Sequence, residues 1–254
     1  MLENYIRQRR GKRSVLIMTH IVMGYPDFET SLRTVEAMVE AGVDLMELQV
    51  PFSEPIADGP VILRANQEAL EKGATVERCF EFADACARQF DIPFLFMSYY
   101  NILYRRGVEN FVEQMDFLGL KGAIVPDLPP EEARAYLTAM EFHGLSPIFI
   151  YSPNTTQERL NYLANYASGF IYCVARKGVT GATTDFSKEL DGYLARCRSA
   201  TTLPLAVGFG IKSRQDVQFL EGKADIAVIG SESIRIIDKS GVKAVRDFVG
   251  DLVT

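Results

Sequence analysis

Histidine and cysteine are scarce in this chain, two of the first and four of the second among 254 residues. Cys79, Cys86, Cys173 and Cys197 are too few and too scattered for a disulfide scaffold. Cys79 and Cys86, seven apart in a helical stretch, are expected to be reduced on a packed face. With only His20 and His143 beside them, no ligand set has the spacing of a zinc site, so no metal is expected, although a magnesium site built from oxygens alone stays open. A P-loop lysine motif and a dinucleotide fingerprint are both missing. So is any excess of positive charge: 27 Lys and Arg against 33 Asp and Glu give a net charge of -6, which argues against a nucleic-acid surface. The one dense basic run, RQRRGKR at 7–13, reads as the solvated face of a first helix, with phosphate or partner binding as the other reading. No leader, lipidation motif or apolar run of membrane length is visible, so no membrane association and a cytoplasmic location are expected.

What the chain does contain is alternation. Eight short apolar runs, at 14–22, 44–50, 93–100, 122–126, 146–151, 170–175, 203–209 and 224–230, are separated by stretches with apolar residues three and four apart, such as 27–42, 107–119 and 156–167. Short, mostly apolar strands separated by helices are the pattern of parallel strands covered on both faces. Eight such units fit a closed (β/α)8 TIM barrel with short extra helices better than a doubly wound sheet. With no composition shift to mark a linker, one domain over residues 1–254 is expected. Prolines and acids in PDFE and PPEEA mark helix starts, and glycines in EAGVD, FLGLKG and EFHGLS mark helix ends. The loops of the functional face then fall near 51–60, 101–106, 126–131, 176–187, 209–213 and 230–233.

The second run, DLMELQV, carries a carboxylate into an apolar strand. A period of two turns Met46, Leu48 and Val50 toward the helices and Glu47 and Gln49 into the barrel mouth. A carboxyl there can have a raised pKa and exchange protons near neutrality, or it can be a structural acid satisfied by neighbouring hydroxyls. Asp58, in PIADGP, is a second carboxylate from the same unit; Asp-Gly is also simply a good turn pair. Glycine-bearing turns GVTG, GFGI and IGS follow strands six to eight, where backbone amides can approach an anion and barrels frequently hold a phosphate. His20 is placed at the mouth end of strand one, and His143 in a helix tail as a structural residue.

Taken in order, GYPDFETS, ELQVPFSEPIADGPVI, YYN, VPDLPPEE, ARKGVTGA, GFGI and IGS resemble the successive signatures of the tryptophan synthase alpha subunit family over essentially the whole chain. The resemblance implies a carbon–carbon lyase that cleaves indole-3-glycerol phosphate to indole and glyceraldehyde 3-phosphate. It implies no cofactor in this chain and a PLP-dependent tryptophan synthase beta subunit as partner, in an alpha2beta2 heterotetramer. Residue by residue, Glu47 matches the catalytic acid/base and Asp58 the second catalytic carboxylate. Tyr99, Tyr172 and Phe209 match pocket positions, Thr180 a residue of the closing loop, and Gly181, Gly210, Gly230 and Ser231 phosphate-binding positions. Glu54, Pro55 and Asp127 resemble residues of the partner interface and its signalling. The sequence departs from the pattern at Gln49 (for Gly), Glu54 (for Asp), Leu63 (for Gln), Ile102 (for Pro), Ala175 (for Ser) and Glu232 (for Ala). Gln49 is expected to modify the pocket, either by hydrogen bonding to Glu47 and lowering its pKa or by filling substrate volume. Two alternatives remain at this level: a standalone indole-releasing lyase, and a catalytically weakened regulatory subunit that keeps the phosphate site.

Overall fold

A computed structural model describes residues 1–175, 188–208 and 210–253. The strands are β1 (Leu16–Val22), β2 (Leu45–Gln49), β3 (Phe94–Met97), β4 (Gly122–Ile124), β5 (Ser146–Ile148, resuming as Ile150–Tyr151), β6 (Ile171–Val174), β7 (Leu205–Gly208) and β8 (Ile226–Ile229). Every pairing is parallel, and β1 pairs with both β2 and β8. The ring closes at β5, whose first half pairs with β4 and whose second half pairs with β6. The run at 146–151, expected as one strand, is thus interrupted at Phe149, which lets a single segment serve two neighbours that diverge around the barrel.

Alternation sorts the side chains into two layers. Met46, Leu48 and Val50 join the large apolar layer between strands and helices, whereas Leu45, Met18, Leu95 and Ile226 fill the barrel. Leu2 and Ile6 of helix α1 (Leu2–Arg10) belong to that inner cluster and plug the barrel from below. The basic run at 7–13 is not simply a solvated face. Asp44, ahead of β2, is 1% exposed and takes Arg9 Nη2 and Arg13 Nη1 at 2.8 Å each, together with the Ile17 amide at 2.9 Å. Arg10 reaches Asp225, ahead of β8, at 3.1 Å. The arginines clamp the plug to the strand starts.

Helices α2 (Phe28–Glu40), α3 (Pro60–Glu71) and α4 (Val76–Gln89) follow, the first capped by Asp27 and the third by Thr75. Residues 101–106, expected as a loop, lie instead in α5 (Tyr100–Arg106). The reason is long-range: Asp127 Oδ1 accepts the Tyr100 amide at 2.8 Å, an N-terminal partner that no local pattern announces. The remaining helices are α6 (Val108–Phe117), α7 (Arg134–Phe142), α8 (Gln157–Ala164), α9 (Lys188–Ala200), α10 (Arg214–Phe219) and α11 (Ser231–Val253). The last bends at Gly241, whose φ of 78° lies in the left-handed region. No helix among the described residues is long and apolar enough to cross a membrane.

Candidate active site

The C-terminal ends of β1, β2, β3 and β6 bring His20, Glu47, Gln49, Tyr99 and Tyr172 toward one mouth. His20 and Glu47 are partners in the β1–β2 register. Glu47 is 4% exposed, and its Oε2 is buried without a hydrogen-bond partner among the described residues. Burial, with a smaller contribution from the Asp58 charge, pushes its pKa up to about 8. A neutral carboxyl at pH 7, poised to give a proton, is the consequence.

Asp58 arrives from the loop between β2 and α3. Asn66 of α3 holds that loop, accepting the Phe52 amide at 2.9 Å while donating to Ile62 O at 2.9 Å. Asp58 Oδ2 accepts from Gln49 Nε2 at 2.6 Å and from the Tyr99 hydroxyl at 3.1 Å. Burial raises its pKa to about 6 against the pull of these two donors. Near pH 7, then, the pair carries one proton and one charge, on different residues. Tyr99 is completely buried, stacks on Phe52 with ring centroids 5.1 Å apart, and also receives the Ala57 amide. It braces the Asp58 loop as well as walling the pocket.

Gln49 does not bond to Glu47, contrary to one expectation from the sequence. Its amide spans from Asp58 to His20, whose Nε2 lies 2.7 Å from Gln49 Oε1. The two ends of the side chain are thus both taken, and Glu47 keeps its raised pKa. Tyr172 of β6 lies within electrostatic reach of both carboxylates, and burial keeps its phenol neutral. A Cβ at Gly208 would stand 2.8 Å from the Tyr172 hydroxyl, so this glycine makes room for the ring.

After β7, Gly210 adopts φ of 90°, and after β8, Gly230 and Ser231 lead into α11. A Cβ at Gly230 would meet Ile62 Cδ1 at 3.7 Å and His20 Nδ1 at 3.9 Å, ordinary van der Waals contact. Arg235 brings positive charge to this helix start, partly offset by Glu232 at 2.9 Å. The amides of Lys212 and Ser213 are engaged by Asp216 at 2.7 and 2.9 Å. In the first turn of α11 the Ser233 amide donates to Gly230 O at 3.1 Å, and Ser231 Oγ accepts from Arg235 Nη1 at 3.3 Å.

A family model described as tryptophan synthase alpha chain matches residues 6–249. The chain belongs to that family. It is 66% identical over 252 residues to the tryptophan synthase alpha chain of Desulforapulum autotrophicum, covering 99% of this chain and 100% of that one. The protein of the same name from Syntrophotalea carbinolica is 62% identical over 252 residues, with the same coverage. Among solved structures, a chain of Mycobacterium tuberculosis tryptophan synthase superposes with a TM-score of 0.93 at 31% identity, covering 99% of this chain and 96% of that one. A mutant tryptophan synthase alpha-subunit of Pyrococcus furiosus gives 0.86 at 32%, covering 93% and 97%. As a member of the tryptophan synthase alpha chain family the protein is an enzyme, a carbon–carbon lyase of the aldol-cleaving type.

Of the residues singled out in the sequence, the structure brings Glu47, Gln49, Asp58, Tyr99 and Tyr172 together and sets Gly210, Gly230 and Ser231 at the loop ends. Thr180, Gly181 and Phe209, with the expected lid at 176–187, lie outside the described residues. Glu54 and Ile56 are exposed on the loop that carries Asp58, whereas Pro55 packs inward and Asp127 is engaged with α5. Sequence reasoning gave no role to Asn66 and read Gly208 only as part of the GFGI anion turn, not as room for Tyr172. A polar residue inside an apolar helix face and a glycine at a strand end were the available signals. Among the described residues no group of three or more His, Cys, Asp and Glu could hold a metal ion.

Proposed function

We propose that this chain cleaves indole-3-glycerol phosphate to indole and glyceraldehyde 3-phosphate with Glu47 as the single proton shuttle and Asp58 as the fixed anion. The observation that carries the reading is the unequal setting of the two carboxyls: Glu47, at about 8, has one oxygen buried without a partner, and Asp58, at about 6, is held by two donors. Glu47 in its acid form gives its proton to C3 of the indole ring, and positive charge develops on the ring nitrogen. Asp58 accepts the ring N–H and stabilises that charge, an electrostatic contribution that grows in a dry pocket. The Glu47 carboxylate then takes the proton of the hydroxyl on the carbon attached to C3. The carbon–carbon bond breaks, its electron pair returns to the ring, and an aldehyde forms. Glu47 ends protonated, as it began. General acid and base help of this kind contributes about 10²- to 10⁴-fold.

Gly210, together with Gly230 and Ser231 at the start of α11, holds the phosphate and sets the reacting bond against Glu47. Tyr172 flanks the ring. A tryptophan synthase beta chain receives the indole in an alpha2beta2 assembly, docking over the loop of Glu54, Pro55 and Ile56, with Asp127 linking α5 to that contact. The direct test is incubation of the pure chain with indole-3-glycerol phosphate, with and without a beta chain, and measurement of both products. Release of indole and aldehyde in equal amounts supports the reading; phosphate-ligand binding with no indole in either condition favours the regulatory alternative.

A further inference from the structure

Asp58 is gripped from two sides, and one grip continues to a third strand. Gln49 donates through Nε2 to Asp58 Oδ2 at 2.6 Å, and its Oε1 lies 2.7 Å from His20 Nε2 on β1. Gln49 is fully buried and His20 is 4% exposed, so the contact between them is shielded from water, while the one to Asp58 is part-buried. These contacts share one consistent polarity. An ionised carboxylate only accepts, so the amide nitrogen faces it. The amide oxygen, also an acceptor only, then faces His20, whose Nε2 must carry the ring proton. That leaves Nδ1 bare, and Nδ1 is indeed buried without a partner, a state common enough for an acceptor and rare for an N–H. Burial further disfavours the imidazolium, lowering the His20 pKa to about 4.

We propose that Gln49 is a positioning residue for the cleavage: backed by His20, it holds Asp58 as the anion of the carboxylate pair and thereby leaves the proton on Glu47. The inference rests on the roles given to Glu47 and Asp58 above. Two carboxyls sharing a low-dielectric pocket do not ionise together easily, and the one whose charged form receives hydrogen bonds is the one that ionises. Asp58 receives two and Glu47 Oε2 none. Among the described residues, the other titratable groups facing Asp58 are Glu47 from β2, Tyr99 at the end of β3 and Tyr172 from β6, both phenols being neutral over the working range. His20 on β1 acts only through the amide. A hydrophobic residue at 49 leaves Tyr99 as the single donor among the described residues.

The test is the pH profile of indole release by Gln49→Leu, which keeps most of the volume and removes both polar ends. The rising limb, which reports ionisation of Asp58, is expected to move up by about one pH unit, so that activity at pH 6 relative to the plateau falls about five-fold. His20→Phe is expected to move the limb in the same direction by less. Added to Gln49→Leu, it is expected to have no further effect, because it acts through Gln49. A limb that stays in place in Gln49→Leu, while wild type releases indole, overturns the proposal. Failure of wild type to release indole overturns the underlying assignment instead. Nitrogen NMR of the His20 ring in wild type reads the same inference without a variant that has to fold. The neutral Nε2–H tautomer is expected throughout pH 5 to 8, and an Nδ1–H tautomer or an imidazolium at pH 7 overturns it.

Discussion

The hydroxyl of Tyr99 lies 3.1 Å from Asp58 Oδ2, on the same carboxylate oxygen that Gln49 engages. Among the described residues, two donors on the half-buried Asp58 and none on Oε2 of the buried Glu47 distinguish the two carboxyls, at about 6 and about 8. The productive form has Asp58 charged and Glu47 protonated, so kcat/KM for indole release is expected to rise near pH 6 and fall near pH 8. Tyr99→Phe removes one donor and is expected to carry the rising limb upward. A flat profile between pH 5 and 9 contradicts the assignment.

The same arrangement has a cost in stability that depends on pH. Glu47 holds its proton up to about 8 in the folded chain and loses it near 4.5 when unfolded. Between those values the folded state binds more protons, so stability falls as pH rises through the window. Glu47→Gln removes this dependence. Denaturant titrations are expected to find the variant about 1–3 kcal/mol more stable than wild type at pH 9, with the difference shrinking toward pH 4.5.

At the other end of the barrel, Asp44 offers a control that spares the chemistry. It is buried and satisfied by Arg9, Arg13 and the Ile17 amide, all far below the mouth. Asp44→Ala leaves these donors without their acceptor and is expected to cost about 2–4 kcal/mol in chemical unfolding. Turnover per folded molecule is expected to remain unchanged.

Gly208 makes a steric prediction. A methyl group there meets the Tyr172 hydroxyl at 2.8 Å, so the ring or the strand end must shift. Gly208→Ala is expected to raise KM for indole-3-glycerol phosphate about ten-fold or more, with a smaller loss in folding stability. A KM equal to wild type places Tyr172 outside the substrate's path.

How far these features were legible in the sequence depends on how local their causes are. Strand alternation settles within a few residues, so the inward turn of Glu47 and the outward turn of Met46 and Leu48 could be read directly. The break at Phe149 could not, because it arises where one segment must serve two neighbouring strands. Helix α5 was missed because its first amide is satisfied by Asp127, 27 residues away. Gln49 stood out as a polar residue beside Glu47, but its partners depend on where the 51–59 loop folds back and on the neighbouring strand β1. The side chain therefore reaches Asp58 and His20, and Glu47 is left neutral for a reason no spacing shows.

The central claim is that Glu47 moves both protons of the cleavage. Its most direct measurement is the rate of indole formation by Glu47→Gln at pH 7, alongside the affinity of the same variant for glycerol phosphate. Glutamine keeps the shape and cannot exchange the proton, so kcat is expected to fall by at least about 10³-fold while glycerol phosphate binds as to wild type. Indole formation within ten-fold of wild type, with the phosphate ligand still bound, contradicts the claim.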